Sequence, residues 1–319
     1  MILSIYVIIA LMKYSCLHTH TIFCDGKDDI ETFCRCAWEK GLVSIGFSAH
    51  APIGRKTGFK TDWHLADDRL DEYVEAVHAA RCRWEGKLRV FLGLEVDFIP
   101  GLMGPVDADY SRLGLDYIIG SVHYLIPPNG AEPFTVDGSA EELEKGLCSG
   151  FGGDGEALAA AYWDAEEAMI RAGGLDILGH ADLIRKNNGA RHFFNPAGEA
   201  DLRRTKDIAG AAAAAGIIVE VNTGGLNRKK IDDTYPSIPF LRLFQENNVP
   251  VIITADAHRA KDLDGHYGDA LSACRAAGYT ETVLFEGREN SKALWKKEFL
   301  TTNDTNSTNI GFSPDSCCS

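Results

Sequence analysis

The chain has 319 residues, of which 45% are hydrophobic and 24% charged, and carries a formal net charge of -14. This composition is ordinary for a soluble protein with a full core, and the length suits one large α/β barrel as well as two smaller domains. The acidic balance argues against broad binding to nucleic acid or to an anionic membrane, and an anionic substrate would need a local cluster of positive charge, such as metal ions supply.

The segment Ile2 to Leu11 is almost wholly apolar. It is too short to span a bilayer, which takes ~20 residues. No basic region precedes it and no Ala-x-Ala cleavage site follows. Residues 1–11 are therefore read as an apolar extension, with Met12 as an alternative start.

Strand-length apolar runs then alternate with amphipathic helical stretches. The strands are read at Tyr14–Leu17, Val43–Ser48, Arg89–Glu95, Tyr117–Ser121, Asp176–Leu178, Ile217–Val221 and Val251–Thr254, with a weaker one at Thr282–Phe285. Several are apolar throughout, as buried parallel strands are. Helices are read at Asp28–Lys40, Asp67–Glu85, Glu156–Ala172, Glu199–Ala215 and Tyr267–Ala277, each followed by a glycine that can close the last turn. Repeated strand–helix units imply a parallel sheet with right-handed crossovers, and seven or eight of them imply a closed or nearly closed barrel. The stretch Leu125 to Gly155 reads as the longest irregular segment, either a lid-like insertion over the barrel mouth or a passive loop. Residues 301–319 are rich in Thr, Asn and Ser and read as a disordered tail. No linker divides the chain, so a single domain over 12–300 is expected.

The nine cysteines form no CxxC pair or zinc-finger spacing, which points to a reduced, cytoplasmic setting.

Potential metal ligands gather at the carboxyl ends of these strands. His18 and His20 follow the first, with Asp25 beyond. One residue apart on a strand, the two imidazoles project to the same side. His50 ends the second strand, Glu95 and Asp97 the third, His123 the fourth, His180 and Asp182 the fifth, Asn222 the sixth, and Asp256 and His258 the seventh. In a parallel barrel all these ends open on one face, where catalytic groups sit. Six of the ten histidines fall there. Together with Asp25, Glu95 and Asp256 they exceed what one zinc can use and suit two or three divalent transition metals, with zinc first and manganese or iron as alternatives. No thiolate is expected to join them. Arg185 and Arg228 are candidates to hold a phosphate oxygen, with Lys186 as an alternative. Asp97 and Asp182 are read as partners of metal-bound histidines or as loop caps. His192 is a candidate to reach the pocket, whereas His64, His78 and His266 have no such placement.

The pieces Leu17-His18-Thr19-His20 with Asp25-Gly26, Ser48-Ala49-His50-Ala51-Pro52, Gly93-Leu94-Glu95-Val96-Asp97, Gly120-Ser121-Val122-His123, Gly179-His180-Ala181-Asp182, Asn222-Thr223-Gly224-Gly225-Leu226 and Ala255-Asp256-Ala257-His258 resemble the PHP (polymerase and histidinol phosphatase) superfamily. The segment Phe134 to Met169 resembles its histidinol-phosphatase family in particular. The resemblance implies a distorted (β/α)7 TIM-like barrel with a trinuclear centre. It places His18, His20, Glu95 and Asp256 on one metal, Glu95, His123 and His180 on a second, and Asp25, His50 and His258 on a third. It implies a phosphomonoesterase that converts L-histidinol phosphate to L-histidinol and phosphate in histidine biosynthesis. There a metal-bridging hydroxide attacks phosphorus, and Glu95, Asp256 and His258 stand at the catalytic centre. Other readings are a PHP phosphoesterase acting on another small phosphate or a nucleotide, a non-catalytic PHP module, and an amidohydrolase-type barrel. The non-catalytic module predicts missing ligands, and none is missing. The amidohydrolase barrel predicts a carboxylated lysine that has no counterpart here. The oligomeric state is left open.

Overall fold

In the third strand, inward and outward residues alternate. Val90, Leu92, Leu94 and Val96 pack outward against helices, while Phe91, Gly93, Glu95 and Asp97 point to the lumen. The same period sets the architecture of the computed structural model, which describes residues 13–189 and 191–300. The apolar extension at 1–11 and the tail at 301–319 lie outside the described residues.

In chain order the elements are β1 (Ser15–Cys16), α1 (Ile30–Glu39), β2 (Ser44–His50), α2 (Gly54–Thr57), α3 (Leu70–Arg83), β3 (Arg89–Asp97), α4 (Ala108–Ser111), β4 (Tyr117–Ser121), β5 (Tyr124–Leu125), β6 (Phe134–Thr135), α5 (Ala140–Phe151), α6 (Gly155–Ala172), β7 (Ile177–Leu178), α7 (Glu199–Ala215), β8 (Ile218–Asn222), α8 (Gly224–Asn227), α9 (Ile238–Glu246), β9 (Val251–Thr254), α10 (Tyr267–Ala277), β10 (Glu281–Glu289) and β11 (Lys292–Phe299). Seven strands form one parallel sheet in the order β1-β2-β3-β4-β7-β8-β9. The sheet closes beyond the ladders. Thr19 bridges Ala257 in parallel register, with His20 N donating to Ala257 O at 2.9 Å and Ala257 N to His18 O at 3.0 Å. The result is the expected (β/α)7 barrel.

Local chemistry sets the helix ends. Asp29 accepts from Thr32 N at the start of α1, and Ser139 and Glu142 form a reciprocal capping box on α5. Gly216 and Gly278 close α7 and α10 at φ of 67° and 102°, a region open to glycine at no steric cost.

Two expectations need correction. The apolar run at 282–285 is not an eighth parallel strand: β10 pairs antiparallel with β11, and the hairpin stoppers the amino-terminal end of the barrel. Val283 and Phe285 join Leu17, Phe91, Tyr117, Ile119, Ile177, Ile218 and Ile252 in an apolar plug, which leaves only the other end open. Nor is Leu125 to Gly155 irregular. It holds β6, paired with β5, and the twelve-residue α5. The glycine and proline content hid a helix whose Gly146 lies against the Phe134 ring.

Among the described residues, no helix is long and apolar enough to cross a membrane. Inside the plug, the Tyr117 ring lies across Gly46 and Gly93, and its hydroxyl donates to Leu17 O. A Cβ on Gly93 would fall 2.4–2.8 Å from that ring. Gly93→Ala is expected to lower stability by about 1–3 kcal/mol through overpacking, read as a drop in the denaturant midpoint at unchanged m-value.

Candidate metal centre

The open end of the barrel converges on a buried acid. Glu95, on the inward face of β3, is fully buried. Its Oε1 accepts from Ser121 Oγ at 2.7 Å and lies 2.9 Å from His180 Nε2 and 3.6 Å from His123 Nε2. Its Oε2 lies 2.9 Å from His50 Nδ1, 3.2 Å from His18 Nε2 and 3.5 Å from His20 Nε2. Asp256 follows β9 at φ 47° and brings Oδ1 to 3.2 Å from His20 Nε2 and 3.7 Å from His18 Nε2. On the outer side, Asp25 Oδ2 lies 3.0 Å from His258 Nε2, and its Oδ1 lies 3.8 Å from both His20 Nδ1 and His50 Nε2. All nine expected ligand side chains are thus brought together.

The surrounding groups settle some of the imidazole tautomers. His18 Nδ1 donates to Glu220 Oε2 at 2.9 Å, and His123 Nδ1 donates to Asp97 Oδ1 at 2.9 Å. His258 Nδ1 lies 3.0 Å both from the Asp256 carbonyl oxygen and from Arg228 Nη1, which can only donate, so these contacts select no single tautomer. In the first two, the ring in its neutral form keeps its Nε2 lone pair for the centre. Those lone pairs face carboxylate oxygens, an arrangement that repels unless a cation lies between. His18 Nε2, His20 Nε2, His50 Nδ1, Asp25 Oδ1 and Glu95 Oε2 are all buried without a hydrogen-bond partner. Mixed imidazole and carboxylate donors with orphaned lone pairs fit divalent transition metal.

Protonation tells the same story. Burial opposes charge on His18, yet Glu220 and Glu95 beside it hold its pKa well above the usual histidine value. Burial likewise opposes charge on His123, but Asp97 and Glu95 push it up to about 10. His20 is the converse: burial, together with His50 and His258, lowers it to about 3, so its ring is neutral at pH 7.

The donor atoms fall into groups whose members lie within 4.8 Å of one another: His20, Asp25, His50 and His258; His18, His20 and Asp256; His18, Glu95 and His180; and His50, Asp97 and His123. These groups overlap the expected partition without reproducing it: the first adds His20 to Asp25, His50 and His258, the second lacks Glu95, and the third has His18 where His123 was expected. His123 groups with Asp97 rather than with His180.

The centre opens into a cavity of about 580 Å³, roofed by the insertion through Phe134, Thr135 and Asp137 and lined by Trp63, Lys186 and Arg228. Asn187 Nδ2 donates to Val136 O and Gly138 O at 3.2 Å, pinning that roof to the segment after β7. Arg228 donates to Asp256 Oδ2 at 2.8 Å and faces the cavity, as the phosphate-binding expectation requires. Arg185 does not. Its Nε lies 2.6 Å from Asp182 Oδ2 and its Nη2 donates to Thr234 O at 2.6 Å, and it is not among the lining residues. Asp182 accordingly holds Arg185 and Ser237 N, at 2.8 Å, rather than a metal-site histidine. His192 is exposed and absent from the lining. Lys186 lines the cavity and donates to the Asp137 carbonyl oxygen. A cleft of about 620 Å³ at the other end of β3 is lined by Arg81, Leu88 and Asp116; Arg81 already pairs with Asp116 there, and no donor set converges.

Two residues escaped the sequence reading. Glu220 on β8 accepts from His18 Nδ1, from His180 N at 2.7 Å, from Asn222 Nδ2 at 2.7 Å and from Thr254 Oγ1 at 2.7 Å. Its signal was an acid in the middle of an apolar strand run. His64 donates from Nε2 to Asp97 Oδ2 at 2.8 Å. It comes from a loop, and periodicity carries no information there.

Comparison with known proteins agrees with this geometry. The PHP domain family matches residues 17–224. The chain belongs to the PHP domain family. Among PHP relatives, a probable histidinol-phosphatase of Deinococcus radiodurans is 29% identical over 273 residues, covering 85% of this chain and 96% of that protein. The histidinol-phosphatase of Bacillus subtilis is 25% identical over 268 residues, covering 81% and 98%. The fold matches a putative histidinol phosphatase from Listeria monocytogenes at TM-score 0.71 and 24% identity, over 79% of this chain and 98% of that one. It also matches histidinol phosphate phosphatase from Lactococcus lactis, solved with zinc, L-histidinol and phosphate, at TM-score 0.61 and 19% identity, over 88% and 100%.

Two predictions follow from the geometry of this PHP centre. Because neighbouring carboxylates favour the protonated forms of His18 and His123 in the metal-free protein, metal uptake must expel protons. The heat of binding should vary with the ionisation enthalpy of the buffer, with net proton release. Glu220→Gln puts an amide donor against groups that all donate, and is expected to weaken metal binding by ~10–100-fold while the protein stays folded, as read by competition with a chelating dye.

Proposed function

We propose that this chain is a metal-dependent phosphomonoesterase that hydrolyses L-histidinol phosphate to L-histidinol and phosphate. The convergence of six imidazoles and three carboxylates on one centre, five of the imidazoles around Glu95, at the floor of a cavity that also presents Arg228 and Lys186, carries the reading. The substrate follows from the two histidinol-phosphatases whose lengths this chain matches almost end to end.

In this reading His18, His20, Glu95 and Asp256 hold one ion, Glu95, His123 and His180 a second, and Asp25, His50 and His258 a third. Zinc is the first choice, and manganese or iron the alternatives. Bound ions would supply Lewis acidity at the phosphoryl group and acidify a water to a useful nucleophile. The protein's own groups do the rest. Glu95 spans the centre and fixes the spacing of its two halves. Asp256 places Oδ1 beside His20 Nε2 and holds Arg228 through Oδ2, tying the metal site to the cation that meets phosphate. Arg228 and Lys186 offset the charge of a phosphate dianion in a strongly acidic chain. Asp137 and Glu142 bring acids to the same cavity, suited to the positive amine and imidazole at the substrate's other end. The roof formed by β6 and the start of α5 restricts water around the reacting phosphate.

Small-phosphate specificity separates this reading from that of a PHP phosphoesterase for nucleotides. Phosphate release should be fastest with L-histidinol phosphate, slower with nucleoside monophosphates, and abolished by chelation in both cases. Arg228→Ala should lower kcat/KM more than Lys186→Ala. A reversed substrate order, or full activity in metal-free protein, overturns the proposal.

A further inference from the structure

The loop between α2 and α3 reaches the centre without contributing an ion ligand. Its contact is His64, which is buried at 8% exposure. Both ring nitrogens are engaged: Nε2 meets Asp97 Oδ2 at 2.8 Å, and Nδ1 lies 3.1 Å from Thr61 Oγ1. Asp97 accepts only, so Nε2 carries the proton, and the Thr61 hydroxyl donates to Nδ1. Thr61 Oγ1 in turn accepts from Trp63 N at 3.2 Å, which closes the loop on itself. With no lone pair left over, His64 is not a ligand.

Asp97 is fully buried and divides its two oxygens between two imidazoles, His64 on Oδ2 and His123 on Oδ1. A buried carboxylate must have both oxygens satisfied. Without His64, Oδ2 would lack its donor and the carboxyl group would be free to rotate. His123 Nδ1 depends on that group for its orientation, and its Nε2 is the atom that faces Glu95. The hydrogen bonds therefore converge on Asp97: Thr61 donates to His64, and His64 and His123 both donate to Asp97. In the neutral form of His123 one lone pair remains, on Nε2, which faces Glu95. The Trp63 ring lies 3.7 Å from His64, centroid to centroid, so the same histidine also props the cavity wall.

We propose that His64 is a positioning residue that acts through Asp97 to fix the tautomer and rotamer of His123, making occupancy of one ion position depend on a loop that touches no ion. The inference rests on the reading of His123 as a metal ligand.

The test is calorimetric titration of the metal-free protein with zinc, repeated with cobalt followed by its visible absorption. Wild type, His64→Leu, His64→Gln and Thr61→Val are compared, with no substrate present. In His64→Leu one class of sites should weaken by ~10–100-fold while the others stay unchanged. In His64→Gln the side-chain amide can stand where Nε2 stood and donate to Asp97, so most of the affinity should return. Thr61→Val leaves the Asp97 contact in place and removes only the tautomer control; a smaller loss in the same class is expected, and this variant decides the matter if His64→Leu does not fold. Unchanged affinity in all three variants overturns the proposal, as does equal weakening of every class. Failure of wild type to bind any divalent ion would instead overturn the proposed function.

Discussion

A fully buried carboxylate, Glu95, is the constraint on which the rest of the structure depends. An isolated charge in that position would be strongly disfavoured, and the protein would neutralise it instead. Here burial raises the pKa, but His18, His50 and His123 around it win, holding the carboxyl well below the usual range. The charge is retained because the imidazoles around it favour their protonated, positive form; once neutral, they leave lone pairs facing its oxygens. Such a shell is unstable by itself, and it makes sense as a receptacle for cations. The outer groups are consistent with that. Glu220 and Asp97 each take the far nitrogen of one imidazole, so the near nitrogen is left for the centre.

The barrel supplies the convergence. β8 and β9 alternate like β3: Val219 and Val221 pack outward while Glu220 and Asn222 face in, and Ile253 and Ala255 pack outward while Thr254 and Asp256 face in. The lumen is apolar at the stoppered end and becomes ionic toward the open one, within a single strand. Phe91, Gly93, Glu95 and Asp97 pass from plug to metal centre in four inward steps. Closure of the sheet belongs to the site as well. The two hydrogen bonds that join the first strand to the last lie at His18, His20 and Ala257, so the ligands at both ends of the barrel are held by the bonds that seal it.

The fold and the donor set were legible in the sequence because both rest on period-two alternation and on chain order. Ligands placed at strand ends in a parallel barrel must share a face, whatever the helices do. Charge partners across loops were not legible. Arg185 and Arg228 have similar sequence positions, one shortly after β7 and the other shortly after β8. They differ only because Asp182 lies three residues from Arg185 and takes its guanidinium, whereas Asp256 draws Arg228 over the cavity. No local pattern separates the two. His64 was missed for the same reason, since its partner Asp97 is on another strand and its own segment has no periodicity. The helix α5 was masked by two glycines that serve packing rather than flexibility: Gly146 admits the Phe134 ring and Gly150 admits Pro127.

The charge balance links the fold to its chemistry. A chain of net charge -14 repels a phosphate dianion at long range. Without ions, the cavity floor adds Asp25, Glu95 and Asp256 to that repulsion, and Arg228 is largely spent on Asp256. Cations held by these residues would reverse the local field and share Asp256 with Arg228, leaving the guanidinium better able to meet an anion. Phosphate binding and metal binding would then be coupled in electrostatic terms. The net negative charge of the chain favours the approach of divalent cations over that of free phosphate esters.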